Sequence, residues 1–320
     1  MRRTTKIGLI TAASLVLFGC VLFAGVMTTV GWDLAKLSTV QYETNTYEVG
    51  EPFGDISLTT DTADIVFALS GDGKCRVECR EEKNARHSVA VENGTLTVKI
   101  SNRRSWYDYI GFHFGSPKIT VFLPDTEYAA LTIRESTGNV DIPEDFTFAG
   151  ADISASTGNV RFFAAAREAV GIRTNTGDIR VESISAGSLD LSVATGTVMV
   201  ADVTCQGEIA VGVSTGKAAL TDVSCRSITS DGTTGDITLY HVIAAGRLSV
   251  GRSTGNVRFT GCDAAELYVN TTTGNVTGSL LTDKVLITDT RTGRVNVPQA
   301  TSGGRCEIRT TTGDIQIEIE

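Results

Sequence analysis

From Thr137 onward a Thr-Gly step recurs at a fixed period in ten successive units, at Gly138, Gly158, Gly177, Gly196, Gly216, Gly235, Gly255, Gly274, Gly293 and Gly313, each 19 or 20 residues from the next. A unit this short cannot hold two helices, and a fixed period of this size marks a solenoid. Around each glycine the apolar residues alternate instead of following a helical period. Val140 and Ile142, Val160 and Phe162, and Ile179 and Val181 follow their glycines at the second and fourth places, while Leu131 and Ile133, Val170 and Ile172, and Leu189 and Leu191 precede them. A third inward position holds Ile184, Val203, Val223, Val242, Cys262 and Leu281. Each unit reads as one coil of short strands around an apolar interior. No coil can bury that interior alone, whereas stacked coils form a continuous core, and at ~4.8 Å per layer ten of them make a rod ~45–50 Å long.

The glycine has a structural task in this scheme: it takes a corner conformation with φ > 0 that a residue with a Cβ resists. The residue after it reads Asn, Asn, Asp, Thr, Lys, Asp, Asn, Asn, Arg, Asp, so that Lys217 is expected to face Asp236 and Arg294 to face Asp314, with no like charges adjacent. Residues 51–130 lack the repeat and read as ordinary antiparallel sheet. Asn93-Gly94 between two alternating runs is a hairpin signal, and Pro117 to Pro124 bracket a strand leading into the first coil. This region is the natural cap for one end of the array. At the other end Glu318 and Glu320 read as gatekeepers against edge pairing, with coverage by another chain as the alternative. The expected fold is all-β, a β-solenoid of ten coils over 131–320 behind an antiparallel β cap over 51–130.

The first residues are of another kind. Arg2, Arg3 and Lys6 lie in a short N-terminal stretch, 1–6, and no charge occurs from Ile7 to Trp32. That run is long enough to cross a ~30 Å hydrocarbon core, which makes 7–32 a transmembrane helix with 33–50 a juxtamembrane linker. The basic residues place the N-terminus in the cytoplasm and the bulk of the chain outside the cell. Two alternatives stand beside the uncleaved anchor: a lipoprotein signal, because Leu17-Phe18-Gly19-Cys20 resembles a lipobox, and a cleaved secretory signal, for which the run is too long.

Charge narrows the list of partners. The chain carries 28 basic and 37 acidic residues, a net charge of −9, and no basic stripe interrupts it. Such a surface repels phosphate backbones, so no nucleic-acid partner is expected. His87, His113 and His241 are the only histidines, which leaves little material for histidine-based catalysis.

The hairpin region, the strand Ile119-Thr120-Val121-Phe122-Leu123-Pro124 and the Ser-Thr-Gly-Asn-Val and Thr-Thr-Gly-Asp-Ile repeats resemble the bacterial family of domain of unknown function 4097, whose members are often labelled adhesins. The resemblance covers roughly residues 50–320. It implies a membrane-tethered or secreted β-strand repeat protein, in some members tied to cell-envelope stress, and it offers no catalytic motif to carry over.

Few residues remain as candidates for chemistry. Cys205 and Cys225 each follow their glycines by nine places and should stack on adjacent coils, either as a disulfide or, by preference, as a reduced pair. No cysteine spacing matches a zinc site, and neither metal nor cofactor is expected. Asp202 and Asp222 are likewise in register and read as solvated corner acids, with a polysaccharide-cleaving acid pair as the rival. Between Arg103 and Phe114 the chain concentrates Trp106, Tyr107, Tyr109, Phe112 and Phe114. These read either as part of the cap or as a contact surface for an envelope protein, a glycan or the membrane. The expected function is a non-enzymatic, membrane-anchored extracellular solenoid, an adhesin or cell-envelope scaffold. The alternative is a carbohydrate-active enzyme acting on envelope polysaccharide, whereas ice binding fails because the position two before the ladder threonine varies too widely.

Overall fold

The computed structural model describes residues 3–33, 41–101 and 116–320. Its one helix, α1 (Arg3–Thr29), is built from Leu, Ile, Val, Phe and Ala. Residues Lys6–Thr29 are long and apolar enough to cross a membrane, and the most apolar stretch is not buried against the protein. All else with regular structure among the described residues is strand.

The glycine-containing units stack as parallel coils in register, with local shifts between Ala244 and Arg247 and between Phe259 and Cys262. Between the Gly196 and Gly216 coils, Leu189 lies beside Ile209, Leu191 beside Val211, Thr195 beside Thr215, Gly196 beside Gly216 and Val198 beside Ala218. The alternating apolar residues of every layer thereby meet inside, and most of this interior is almost wholly removed from water. Burying each such Val, Leu or Ile stabilises by ~1.5–3 kcal/mol, which explains why a strand shifted by one residue would expose its whole inward set.

The corner glycine is demanded twice over. Nine of the ten have positive φ, from 126° at Gly235 to 159° at Gly138, the left-handed side that a Cβ disfavours. Independently, a Cβ on each would collide with the carbonyl oxygen of the residue below in the column, Ala63 for Gly138 and a corner glycine for nearly all the others. Gly293 departs from the expected conformation, having no positive φ, yet a Cβ there would still meet the carbonyl of Gly313. Close coil-to-coil approach fixes that position by itself.

A second corner lies six residues after the glycine. Ser183, Asp202, Asp222, His241 and Gly261 occupy it with φ of 49–57°. Asp, Asn and Gly tolerate this region best, which is a local reason for acids at 202 and 222.

The residue after the glycine forms a ladder of its own. Asn139 Oδ1 accepts from the amide of Asn159 at 3.0 Å, Asn159 from Asp178 at 2.9 Å, and Asp178 from Thr197 at 2.7 Å. The ladder resumes from Asp236 through Asn256 to Asn275. A short side chain carrying an acceptor is therefore favoured there, and Thr197 and Lys217 mark the interruption.

Two expectations are corrected. The first concerns residues 51–130, which contain two further coils. Strand β1 (Tyr42–Val49) leads to β2 (Asp55–Thr62) and β3 (Asp64–Leu69), which run parallel with the first glycine coil, with Thr62 beside Thr137 and Ile65 beside Val140. Ala63 takes the corner place. After β4 (Cys75–Glu82) and β5 (His87–Glu92), β6 (Thr95–Ile100) and β7 (Lys118–Leu123) lie parallel beneath β2 and β3 as the outermost coil. Among the described strands, antiparallel pairing is confined to the cover on that coil, β5 on β6, β4 on β7 and β1 on β4.

The second correction is the order of the last coils. The Gly274 coil pairs with the Gly313 coil through Leu267 beside Cys306 and Val276 beside Ile315, and the Gly293 coil then pairs with the far side of the Gly313 coil. The chain places its ninth coil one layer out and returns to fill the gap with its tenth. Glu318 and Glu320 therefore belong to an interior layer, with Ser279 donating a hydrogen bond to Glu320. The exposed end is the Gly293 coil, where Leu286 and Thr288 replace the fully buried Cys306 and Ile308 of its neighbour. A less apolar inward set suits a terminal repeat.

Candidate functional site

The in-register acids stand at exposed corners of adjacent coils. Asp202 and Asp222 sit at the solvent-facing second corner, and Asp222 accepts from or pairs with His241 Nδ1 at 3.1 Å. The left-handed backbone conformation at this corner fixes the column.

Cys205 and Cys225 are free and buried, with their thiols directed at the carbonyls of Gly187 and Ser227. Burial pushes Cys225 up to about 12, Cys75 to about 11 and Cys306 to about 12, so none of them offers a thiolate at neutral pH. The aromatic residues Trp106, Tyr107, Tyr109, Phe112 and Phe114 lie outside the described residues, in the connection between β6 and β7.

Two features of the cap are more distinctive. At the end of β7 remote from that connection, a cleft of about 550 Å³ opens between Val49, Pro52, Phe53, Lys74 and Tyr128. Phe53 and Tyr128 stack there with ring centroids 5.9 Å apart. The volume is that of a small-ligand pocket.

At the other end lies a buried polar cluster. Cys79 and Glu81 share the inward face of β4, and the tight reversal closed by the Glu82–Ala85 bridge brings His87 back over Glu81. His87 Nδ1 lies 2.7 Å from Glu81 Oε2, and the His87 amide donates to the same oxygen at 2.6 Å. Asn45 Nδ2 donates to Glu81 Oε1 at 2.7 Å, while Thr60 Oγ1 lies 3.0 Å from His87 Nε2. Burial, with the Glu81 charge second, raises Cys79 to about 12. Sequence reading set the histidines aside because they are far apart, and it missed that Cys79-x-Glu81 followed by His87 across a short turn places three such groups together.

The family follows from the stack. Residues 53–214 and 206–320 match the Toastrack DUF4097 family in two overlapping stretches that together span the coils and most of the cap. The chain belongs to that family. No curated protein matches it. Among solved structures this Toastrack chain resembles a "putative lipid binding protein" from Parabacteroides distasonis, with 14% identity and a TM-score of 0.50 over 88% of this chain and 98% of that one. A "putative adhesin" from Parabacteroides merdae is similar at 15% identity and a TM-score of 0.50, over 77% of this chain and 98% of that one. At such identity the likeness establishes the Toastrack fold alone.

Proposed function

We propose that this chain is a non-enzymatic, single-pass membrane protein whose solenoid stands outside the cell as an adhesin or envelope scaffold. The observation that carries the reading is the distribution of side chains along the stack. Layer after layer repeats corner threonines, glycines and ladder amides, and the in-register acids are exposed corner residues, with Asp222 meeting the next corner residue, His241. A surface of this kind suits extended contact better than turnover. The apolar α1 supports the anchor, and the basic residues before it support an inside N-terminus.

The partner is an envelope protein or a glycan. Its contact residues are Trp106, Tyr107, Tyr109, Phe112 and Phe114, aromatic side chains of the type that dominate recognition surfaces. The neighbours described as an adhesin and as a lipid-binding protein are compatible with an exposed binding role.

The test uses the full chain in lipid vesicles, offered to cell-wall polysaccharide and to envelope proteins on an array. Saturable binding that falls at least tenfold in the Trp106→Ala, Tyr107→Ala, Tyr109→Ala triple variant is expected. No binding above background, or polysaccharide turnover lost on Asp202→Ala or Asp222→Ala, overturns the proposal. Labelling of intact cells with a membrane-impermeant amine reagent should mark Lys217 and spare Lys6; the reverse pattern overturns the topology.

A further inference from the structure

We propose that Cys79, Glu81 and His87 form a binding site for one divalent transition-metal ion, with zinc as the best chemical match. The three supply a thiol sulfur, a carboxylate oxygen and an imidazole nitrogen that all lie within 4.8 Å of one another, and each residue is buried. That distance is a small contraction away from the spacing of ligands around a single ion, whose bonds run ~2.0–2.3 Å to N, O and S. The mixed set of soft sulfur, imidazole and one carboxylate selects zinc over magnesium or calcium, which take oxygen ligands.

Two observations beyond proximity point to a ligand. The first is the outer shell. Metal-binding histidines hold their second ring nitrogen, and metal-binding carboxylates their second oxygen, through hydrogen bonds to neighbours. Here Thr60 Oγ1 holds His87 Nε2 at 3.0 Å and Asn45 Nδ2 holds Glu81 Oε1 at 2.7 Å, while Nδ1 and Oε2 face each other at 2.7 Å beside the Cys79 sulfur, so that an ion bound there would take the place of that one hydrogen bond. The second is charge. Glu81 is 1% exposed, and its direct partners are Asn45 and the His87 amide and ring, with no Lys or Arg in hydrogen-bond contact among the described residues. Arg86, the nearby cation, is paired with Glu43 at 2.6 Å. A buried carboxylate held only by such donors is costly, and a divalent ion neutralises it together with a thiolate.

The proton balance is definite. Binding replaces the Cys79 S–H proton by the metal and releases that proton to solvent. The Nδ1–H to Glu81 Oε2 hydrogen bond is broken as both atoms turn to the metal, and the neutral imidazole then carries its proton on Nε2, where Thr60 Oγ1 accepts it. The site would then tie β4, β5 and β2 together at the point where the cap meets the first parallel coils, giving it a structural role alongside the proposed partner binding.

The test is a cobalt(II) titration of the full chain in detergent after stripping with EDTA. One equivalent should bind with a thiolate-to-cobalt charge-transfer band. Zinc should abolish the band and raise the thermal midpoint, and EDTA should reverse the rise. The band should vanish in Cys79→Ala and persist in Cys75→Ala and Cys225→Ala. Thr60→Val, which retains the fold's apolar shape, should weaken affinity by about 10–100-fold, as loss of an outer-shell partner does. This second variant keeps the test decisive should Cys79→Ala not fold. Absence of band and thermal shift at saturating metal, a band that survives Cys79→Ala, or unchanged affinity in Thr60→Val overturns the assignment. Loss of partner binding alone would leave it standing.

Discussion

Asp314, and not Arg294, lies on Asn275: its amide donates to Asn275 Oδ1 at 2.8 Å, and its own Oδ1 accepts from the Arg294 amide at 2.8 Å. Sequence order would put Arg294 on Asn275, and a guanidinium has no acceptor to offer the next layer. The observed order keeps the ladder of side-chain acceptors unbroken and leaves Arg294 at the end, where no amide follows. The less apolar inward set of the same coil points the same way.

The glycine column predicts a sharp contrast between two neighbouring positions. Gly216→Ala places a Cβ against the Gly196 carbonyl at a φ of 136°, whereas the nearest atom to a Cβ on Gly212 is Ser192 Oγ at 3.4 Å. The first should cost about 3 kcal/mol or more and the second less than about 1 kcal/mol, read from urea unfolding at unchanged m.

Gly232 and Arg252 form a coupled pair inside the stack. They are register partners, and the guanidinium occupies the space that a side chain at 232 would fill. Arg252 Nη1 donates to the Val213 carbonyl at 2.8 Å, but its Nε and Nη2 have no partner. The preceding coils carry Val193 and Val213 in this column. Gly232→Val alone should be strongly destabilising, because its Cβ would meet both the guanidinium and the Val213 carbonyl; adding Arg252→Val removes the first of these contacts together with a buried charge and should recover about 1–3 kcal/mol of the loss. A double variant no more stable than Gly232→Val alone would refute the coupling.

Stability should fall as pH rises through a single buried acid. Glu135 faces Thr60 behind the corner, its Oε1 accepts from the Thr137 amide at 3.0 Å, and its Oε2 has no partner. Burial, with the nearby Asp61 and Asp64 adding to it, raises Glu135 to about 8 from 4.5. The folded state then keeps a proton that the unfolded chain gives up, so the contribution is complete below about pH 4.5 and lost progressively up to about pH 8. The loss should be of the order of 3 kcal/mol, and Glu135→Gln should abolish it in unfolding curves taken across that range. An identical pH profile in the variant would refute the assignment.

Much of this fold is written in the sequence because stacking converts a period into touching columns, and Gly196 on Gly216 is the direct result. The coil of β2 and β3 was hidden because Ala63 stands where glycine marks the others and two strands of cap intervene before the next corner. Coil order was hidden for a deeper reason: a repeat fixes which faces pair but is indifferent to which copy follows which, and only the contrast between Asp314 and Arg294 betrays it. The Cys79, Glu81 and His87 cluster depends on a turn rather than a period, so nothing in the repeat announces it. Asp202 and Asp222 were legible as corner acids, since a left-handed corner favours exactly such short polar side chains wherever the backbone turns that way.

Cysteine cross-linking tests the stack and its order most directly. Thr277 and Gln316 are register partners in adjoining layers, and Asn296 lies beyond Gln316. Thr277→Cys with Gln316→Cys should oxidise readily to an intramolecular disulfide found by peptide mass mapping, since adjoining parallel strands bring Cα atoms within bonding range. Thr277→Cys with Asn296→Cys should remain reduced. A disulfide between 277 and 296, with none between 277 and 316, would contradict the coil order and the ladder that explains it.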